Sequence, residues 1–298
     1  MAVRIWLVLG VAAAIGGGAL LSLTEGPTVV GRDLSGLSGD VARGAYVARL
    51  SGCIACHTDP RTGGAVLAGG AAIPTAFGRF YAPNITPHPS DGIGSWSLAD
   101  FSLALTAGVD PDGGHYYPTF PYAFYTRLTD QDVADLWAAV RSVPAVAGGP
   151  PDHELRFRFG WTRGIGLWKQ LYFEPGPLPV AGERTDLWER GRYLAEAAAH
   201  CGACHTPRGL LGGRDADRKF AGGIGPDNEK TPPIIPDALL RAGWTADDLR
   251  YALRSGLTPS GDSLGGSMAE VIRHGTRYWS DEDITALVEY LWKPDGRR

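Results

Sequence analysis

Cys53-Ile54-Ala55-Cys56-His57 and Cys201-Gly202-Ala203-Cys204-His205 are two copies of one pattern, C-x-x-C-H. In this pattern two thiols lie one helical turn apart and can bond covalently to the two vinyl groups of haem. The histidine that follows is placed under the iron as its proximal ligand. The two copies use all 4 cysteines of the chain. The sequence therefore predicts two covalently attached haem c groups, with His57 and His205 as proximal ligands.

Other uses of paired cysteines fit this spacing less well. Zinc ribbons separate their cysteine pairs by about 15–20 residues, whereas Cys56 and Cys201 are far apart. A thioredoxin-like redox pair requires neither the histidine nor a second copy. A disulfide within C-x-x-C is strained and is a poor structural staple. Haem attachment is the interpretation that uses every feature of the motif.

The composition excludes several classes of function. The 28 lysines and arginines are outnumbered by 32 aspartates and glutamates, so the charge does not indicate nucleic-acid binding. The sequence has neither a glycine-rich phosphate loop nor a Ser-His-Asp arrangement. Its 298 residues accommodate two domains. The 42 glycines and 22 prolines are typical of a loop-rich fold in which haem supplies part of the core.

The amino-terminal segment is apolar. Residues 5–23 are uncharged, follow Arg4, and are long enough to span a bilayer as a helix. A signal peptide is the alternative, although the apolar run is long for one and no clear A-x-A site ends it. We predict a transmembrane anchor in residues 1–24 and a flexible tether in residues 25–39. Either reading places the rest of the chain in the periplasm, and the anchor holds it at the inner membrane.

The chain contains an internal repeat with an offset of 148 residues, which relates Cys53 to Cys201. Similar segments with Arg-Gly and a tyrosine precede the two motifs, at residues 43–48 and 190–195. Each half also has a middle helix and a closing helix with a capped, acidic first turn, starting at Thr129 and Ser280. This is the order of a cytochrome c domain, in which the first and last helices cross. The predicted fold is all-α, with tandem cytochrome c domains at residues 40–147 and 183–298 behind the transmembrane helix.

Residues 148–182 join the two predicted domains. This linker is rich in aromatic residues, which are unusual on a solvated connection: Phe157, Phe159, Trp161, Trp168, Tyr172 and Phe173. We expect it to pack across both domains and set the geometry between the haems. A docking surface for a partner is the alternative.

The repeat also predicts the distal iron ligands. Of the 2 methionines, Met1 lies beyond the membrane segment, so Met268 is the predicted distal ligand of the second haem. The offset relates Met268 to Phe120, and a phenyl ring cannot bind iron. We therefore predict His115, in the same loop, as the distal ligand of the first haem. The alternatives are an open position or another histidine, His88 or His153.

This difference in ligands has a consequence for the reduction potentials. Methionine ligation raises the potential of a haem and bis-histidine ligation lowers it. The first haem is thus expected to have the lower potential and to pass electrons to the second.

Haem propionates require hydrogen-bond donors around them. For the first haem the predicted donors are Arg79, Tyr81, Asn84 and Trp96, and for the second they are Arg208 and Trp244.

Several stretches carry a family resemblance. They are Tyr81-Ala82-Pro83-Asn84-Ile85-Thr86-Pro87, Gly92-Ile93-Gly94-Ser95-Trp96, and residues 117–122, 200–208 and 266–270. They resemble the cytochrome c subunits of membrane-bound alcohol, gluconate and fructose dehydrogenases, over most of residues 40–295. The resemblance implies an electron-transfer subunit, not an enzyme. It implies a partner dehydrogenase or other respiratory subunit as donor, and quinone or a soluble cytochrome as acceptor.

Three features depart from that family. Many members carry three haems, and many have methionine where Phe120 stands. The second domain lacks a clear copy of the Asn-Ile-Thr segment and has Thr231-Pro-Pro-Ile-Ile-Pro236 there. A dihaem peroxidase, whose two haems have different distal ligands, is the alternative function, and a soluble electron shuttle is a third.

Overall fold

The computed structural model of the chain describes residues 24–27, 29, 31–156, 162–225 and 229–294. The predicted anchor, residues 1–24, therefore lies outside the described residues except for Thr24. Across the described part, every helix is too short or too polar to cross a lipid bilayer.

The first half is built from five helices and a small antiparallel sheet. The helices are α1 (Val41–Leu50), α2 (Cys53–His57), α3 (Leu98–Ala107), α4 (Tyr122–Tyr125) and α5 (Asp130–Ser142). The sheet has the order β1 (Ala72–Thr75), β2 (Gly78–Tyr81), β3 (Glu154–Leu155). Its last strand comes from the linker, so the linker begins as part of the first domain.

The linker continues as α6 (Thr162–Tyr172), and the second half repeats the plan of the first. Its helices are α7 (Asp186–Tyr193), α8 (Gly202–His205), α9 (Pro236–Arg241), α10 (Ala246–Ser255), α11 (Gly266–His274) and α12 (Asp281–Trp292). A π-helical turn, Leu194–Ala198, extends α7, and short 3-10 turns occupy Ala216–Arg218 and Thr276–Tyr278. One antiparallel pair joins β4 (Gly223–Ile224) and β5 (Lys230–Thr231). The fold is mostly helical, as predicted, and it also contains two small sheets. They form where loops fold back beside each haem motif.

The opening and closing helices of each half cross at a glycine. A β-carbon on Gly44 of α1 would lie 1.8 Å from the carbonyl oxygen of Asp135 in α5. A β-carbon on Gly191 of α7 would lie 1.9 Å from the carbonyl oxygen of Ala286 in α12. Both distances are shorter than any non-bonded contact, so each crossing requires glycine. The repeated Arg-Gly pair in the sequence therefore marks the two crossing points.

The middle helices of the two halves are delimited in the same way. Ser97 and Asp100 form a reciprocal capping box at the start of α3, and Thr245 and Asp248 form one at the start of α10. Both helices end at a left-handed glycine, one of which is Gly108 with φ 64°. The loops that carry the predicted distal ligands therefore leave the two helices in equivalent directions.

The two halves share one continuous core and touch directly in front of the haem motifs. A β-carbon on Gly52 would lie 3.7 Å from Cε1 of His200. His200 packs its ring against Tyr125 at a centroid distance of 5.6 Å, and the Tyr125 hydroxyl donates to the carbonyl oxygen of Ser51. His200, directly before Cys201, is thus a structural residue at the domain boundary.

The described part of the linker contacts both domains, in agreement with the packing expected for it. On one side, the ammonium group of Lys169 donates to the carbonyl oxygens of Ala107 and Gly108 at the end of α3, at 2.8 and 2.7 Å. On the other, Trp168 Nε1 donates to the carbonyl oxygen of Leu211 at 3.0 Å. The aromatic residues Phe157, Phe159 and Trp161 lie outside the described residues.

Candidate haem sites

Each proximal histidine is oriented by a proline carbonyl. Nδ1 of His57 lies 2.8 Å from the carbonyl oxygen of Pro83, and Nδ1 of His205 lies 2.8 Å from that of Pro232. A carbonyl only accepts hydrogen bonds, so Nδ1 must carry the proton and Nε2 keeps its lone pair for iron. Burial lowers the pKa of both imidazoles, which also favours the neutral form that binds a metal.

Sequence reasoning missed both prolines. The one signal that could have revealed them is spacing, since Pro83 follows its histidine by 26 residues and Pro232 by 27. The Thr-Pro-Pro segment of the second domain differs in sequence from the first-domain segment. Its Pro232 carbonyl nevertheless orients His205 as the Pro83 carbonyl orients His57. The departure from the family pattern therefore leaves the second proximal site intact.

The thiols differ in exposure. Burial raises the pKa of Cys53 to about 12, whereas the Cys56 side chain is exposed. Burial also raises the pKa of Cys201 to about 12. Thiol-redox sites lower the pKa of their cysteine instead, which argues against a thioredoxin-like role.

All four cysteines belong to the described residues and are free thiols. Within the same part of the chain, no three Cys, His, Asp or Glu side chains converge as metal ligands. Two thiols and one imidazole on a single helical turn, backed by apolar core, fit haem c.

Met268, the predicted distal ligand of the second haem, is in the first turn of α11 and is half-buried against the common core. The equivalent Phe120 packs its ring among Tyr116, Tyr122 and Tyr125, at centroid distances of 5.7 to 6.3 Å. The first domain thus has an aromatic cluster at the position where the second has a thioether.

His115 has protein partners at both ring nitrogens. Nδ1 accepts from the ammonium group of Lys169 at 3.0 Å, and Nε2 donates to the carbonyl oxygen of Glu25 at 3.1 Å. Burial lowers the pKa of His115, with a further contribution from Lys169. Burial also lowers the pKa of Lys169 to about 7. Iron ligation by His115, which the sequence predicts, would require at least one of these hydrogen bonds to break.

The other two candidate histidines are also engaged. Nδ1 of His88 accepts from the backbone N–H of Asp91 at 3.1 Å, within its own loop. Nδ1 of His153 accepts from the N–H of Tyr81 at 3.3 Å, and its ring lies 5.1 Å from that of Phe80. His88 is therefore part of a surface loop, and His153 fastens the linker to β2.

The predicted propionate donors of the first domain have protein partners. Arg79 and the Tyr81 hydroxyl both donate to Glu154, at 3.1 and 2.8 Å, across the sheet. Asn84 donates to the carbonyl oxygens of Val146 and Gly148, both at 2.7 Å, and so holds the start of the linker. Trp96 packs against the core.

The second domain places two arginines beside its haem motif. Arg208 donates to the carbonyl oxygens of Ala203 and Gly212, and Trp244 packs against the core. Arg214, which sequence reasoning missed, stacks its guanidinium 3.9 Å from the ring centroid of Phe124 in the first domain. Burial, Arg127 and Arg208 together lower the pKa of Arg214 to about 10. Positive charge here favours the reduced state of a nearby haem.

Two linked domains, each with a C-x-x-C-H turn and an oriented proximal imidazole, define a haem-carrying electron-transfer protein. The sequence model of the cytochrome c family matches residues 41–144 and 188–294, and the chain belongs to this family. Two haem c groups are covalently bound, one to each domain.

Known relatives agree with this assignment. The chain is 44% identical to the diheme cytochrome c-type protein of Cereibacter sphaeroides, over 86% of each chain. It is 39% identical to the fructose dehydrogenase cytochrome subunit of Gluconobacter japonicus, over 84% of this chain and 52% of that subunit. It is 35% identical to the gluconate 2-dehydrogenase cytochrome c subunit of Pantoea cypripedii, over 84% and 58%.

These relatives confirm the resemblance to cytochrome subunits of dehydrogenases. The chain spans most of the diheme cytochrome but little more than half of the dehydrogenase subunits. The peroxidase alternative receives no support from them, because the relatives described are a cytochrome and cytochrome subunits.

Proposed function

We propose that the chain is a dihaem electron-transfer subunit, held at the periplasmic face of the inner membrane by residues 5–23. It receives electrons from a partner dehydrogenase and passes them to quinone or to a soluble cytochrome. The contact between Gly52 and His200 is the observation that carries this proposal, because these residues directly precede the two haem motifs. Attachment points that meet at a domain boundary are suited to transfer between two haems.

The chain's own residues set the direction of transfer. When bound, haem iron supplies a one-electron couple between the ferric and ferrous states. Met268 supplies a thioether, which favours the ferrous state in the second domain. Phe120 supplies no ligand atom to the first domain. Residues of the second domain therefore set the higher potential, and electrons run from the first domain to the second.

The membrane and partner parts of the proposal are supported by sequence. Residues 5–23 are apolar and long enough to span a bilayer. The relatives named above include cytochrome subunits of fructose and gluconate dehydrogenases. Thioether attachment of haem is periplasmic chemistry in bacteria, which agrees with an exported body.

Purification of the full chain from its native membranes in mild detergent tests this function. We expect a dehydrogenase to co-purify, and addition of that enzyme's substrate to reduce both haems. The control is the same preparation after the dehydrogenase has been removed, in which the substrate should reduce neither haem. Peroxide turnover by the isolated chain, with no dependence on a dehydrogenase, would instead establish the peroxidase.

A further inference from the structure

Five exposed apolar residues come together on one side of the molecule. Leu167 and Leu171 lie one turn apart on α6, Leu210 and Leu211 follow the second haem motif, and Phe77 caps the β1–β2 hairpin. Leu171 is 59% exposed and Leu210 is 102% exposed. We call these five residues the apolar face. Clusters of exposed apolar side chains on a soluble surface mark interaction sites.

Direct contacts make the apolar face continuous. The Trp168 hydrogen bond to the Leu211 carbonyl joins α6 to the loop after the second motif. Tyr172 covers Gly213, where a β-carbon would lie 2.2 Å from its ring. A β-carbon on Gly212 would lie 3.5 Å from the Phe77 ring. Three segments that are distant in sequence therefore present one surface.

The described chain begins on this same helix. A β-carbon on Gly166 of α6 would lie 1.8 Å from the carbonyl oxygen of Thr24 and 2.9 Å from the backbone nitrogen of Gly26. Thr24 follows directly on the apolar residues 5–23. Leu167 is the neighbour of Gly166, and Leu171 is one turn further on. The apolar face therefore starts at the point where the apolar segment ends.

We propose that the apolar face rests on the surface of the lipid bilayer. This inference rests on the proposed function, because an anchor in residues 5–23 brings Thr24, and α6 with it, to the membrane–water boundary. Insertion of leucine and phenylalanine side chains into the headgroup region of a bilayer is favourable, because it removes apolar surface from water. The contact is apolar and the chain's formal net charge is −4, so added salt should not weaken it.

The apolar face is connected to the second haem motif. Arg208, three residues after His205, donates to the carbonyl oxygen of Gly212 within the loop of the apolar face.

Lipid photo-crosslinking tests the orientation in the full holoprotein. A benzophenone amino acid replaces Leu171, Leu210 or Leu211, one at a time, and the protein is reconstituted in phosphatidylcholine–phosphatidylglycerol vesicles. The matched control position is Leu240 on α9, which is 59% exposed, like Leu171. We expect lipid adducts at the three positions of the apolar face, at several times the yield at Leu240, in low and in high salt. Three separate positions keep the test valid if one variant fails to acquire haem.

Two results would overturn the orientation. One is a lipid yield at Leu171, Leu210 and Leu211 no higher than at Leu240. The other, in native membranes, is crosslinking of these positions to another protein. Membrane fractionation separates this failure from failure of the anchor. If washing with carbonate removes the full chain from membranes, the chain has no anchor. If the chain stays in the membrane but forms no lipid adducts at the apolar face, it is anchored in a different orientation.

Discussion

Tyr46 in the opening helix of the first domain donates a 2.6 Å hydrogen bond to Asp283 in the closing helix of the second. The same hydroxyl accepts from the backbone N–H of Ser280, the N-cap of α12, at 2.9 Å. The Tyr46 hydroxyl therefore lies between the Ser280 N–H and the Asp283 carboxylate. In a capping box these two groups hydrogen-bond to each other directly. The residues Tyr46 and Asp283 are 237 positions apart in the chain.

The repeat partner of Tyr46 makes the reciprocal contact. Tyr193 of the second domain donates to Asp132 and accepts from the N–H of Thr129, the N-cap of α5. Each domain thus inserts a tyrosine into the amino terminus of the other domain's closing helix. This reciprocal arrangement relates the domains by an approximate two-fold axis and fixes the spacing of the haem motifs.

Tyr46→Phe tests the importance of this contact. The change leaves the Ser280 N–H and the buried Asp283 each with one partner fewer, which should cost about 1–3 kcal/mol of unfolding free energy. Denaturant unfolding of the holoprotein, followed by fluorescence, measures it. Tyr251→Phe, at an exposed position of α10, is the control and should have no effect. Equal midpoints for Tyr46→Phe and the wild type would show that the contact contributes nothing.

Gly191→Ala should break the crossing of α7 and α12. A methyl group there meets the Ala286 carbonyl at 1.9 Å, so the helices must separate, at a cost of about 3 kcal/mol or more. Thermal unfolding of the holoprotein measures the loss. Gly36→Ala is the control, since no atom lies within 4 Å of its β-carbon position. A melting temperature unchanged in Gly191→Ala would contradict the crossing geometry.

Met268→Leu should lower the reduction potential of one haem only. Leucine keeps the volume and removes the sulfur, so the ferrous state of the second haem loses its thioether ligand. A spectroscopic redox titration resolves the two centres. Phe120→Met is the complementary change, and we expect it to raise the potential of the other haem. A fall in both potentials for Met268→Leu would argue against ligation of a single iron.

His115→Ala distinguishes the sequence prediction from the structure. Because the ring is held by Lys169 and Glu25, we expect the absorption spectra of both haems to be retained. The variant should lose stability, since Lys169 loses one of its three acceptors. His57→Ala is the control and should change the absorption spectrum of the first haem, because it removes the proximal ligand. A change in the spin state of that haem in His115→Ala would identify His115 as its distal ligand.

Stability should decrease in acid. Burial opposes ionisation of Asp135 and Asp283, but hydrogen bonds from Arg43 and Arg190 respectively outweigh it and hold both pKa values below the usual one. This contribution is complete above the unfolded pKa of about 4 and is lost as the pH falls through the folded values. Denaturation midpoints at several pH values between neutrality and acid measure the slope. Asp283→Asn should flatten it, and an unchanged slope would exclude Asp283 as a source.

Local motifs could be predicted because their chemistry depends on short spacing. The two thiols and the imidazole of each haem site lie within one helical turn, so five consecutive residues suffice. The methionine count gave Met268 as the predicted distal ligand of the second haem, and the offset of 148 residues related it to Phe120, which provides no ligand atom. The glycine crossings are likewise recorded in the sequence, as the repeated Arg-Gly pair.

The proline carbonyls, the engagement of His115 and the exchanged tyrosines could not be predicted in this way. Each is a hydrogen bond between segments that only the packed chain brings together, such as Tyr46 and Asp283. Every residue has a backbone carbonyl, so the residue types in a sequence do not reveal which carbonyl accepts a hydrogen bond from a histidine.

The sequence by itself thus determined what this protein carries: two covalent haems in two repeated domains, with a single methionine within those domains. The tertiary structure alone decided how the two sites are held and oriented relative to each other. The physical reason is that covalent attachment is encoded by neighbouring residues, whereas orientation depends on long-range hydrogen bonds and close helix packing, which arise only when the chain folds.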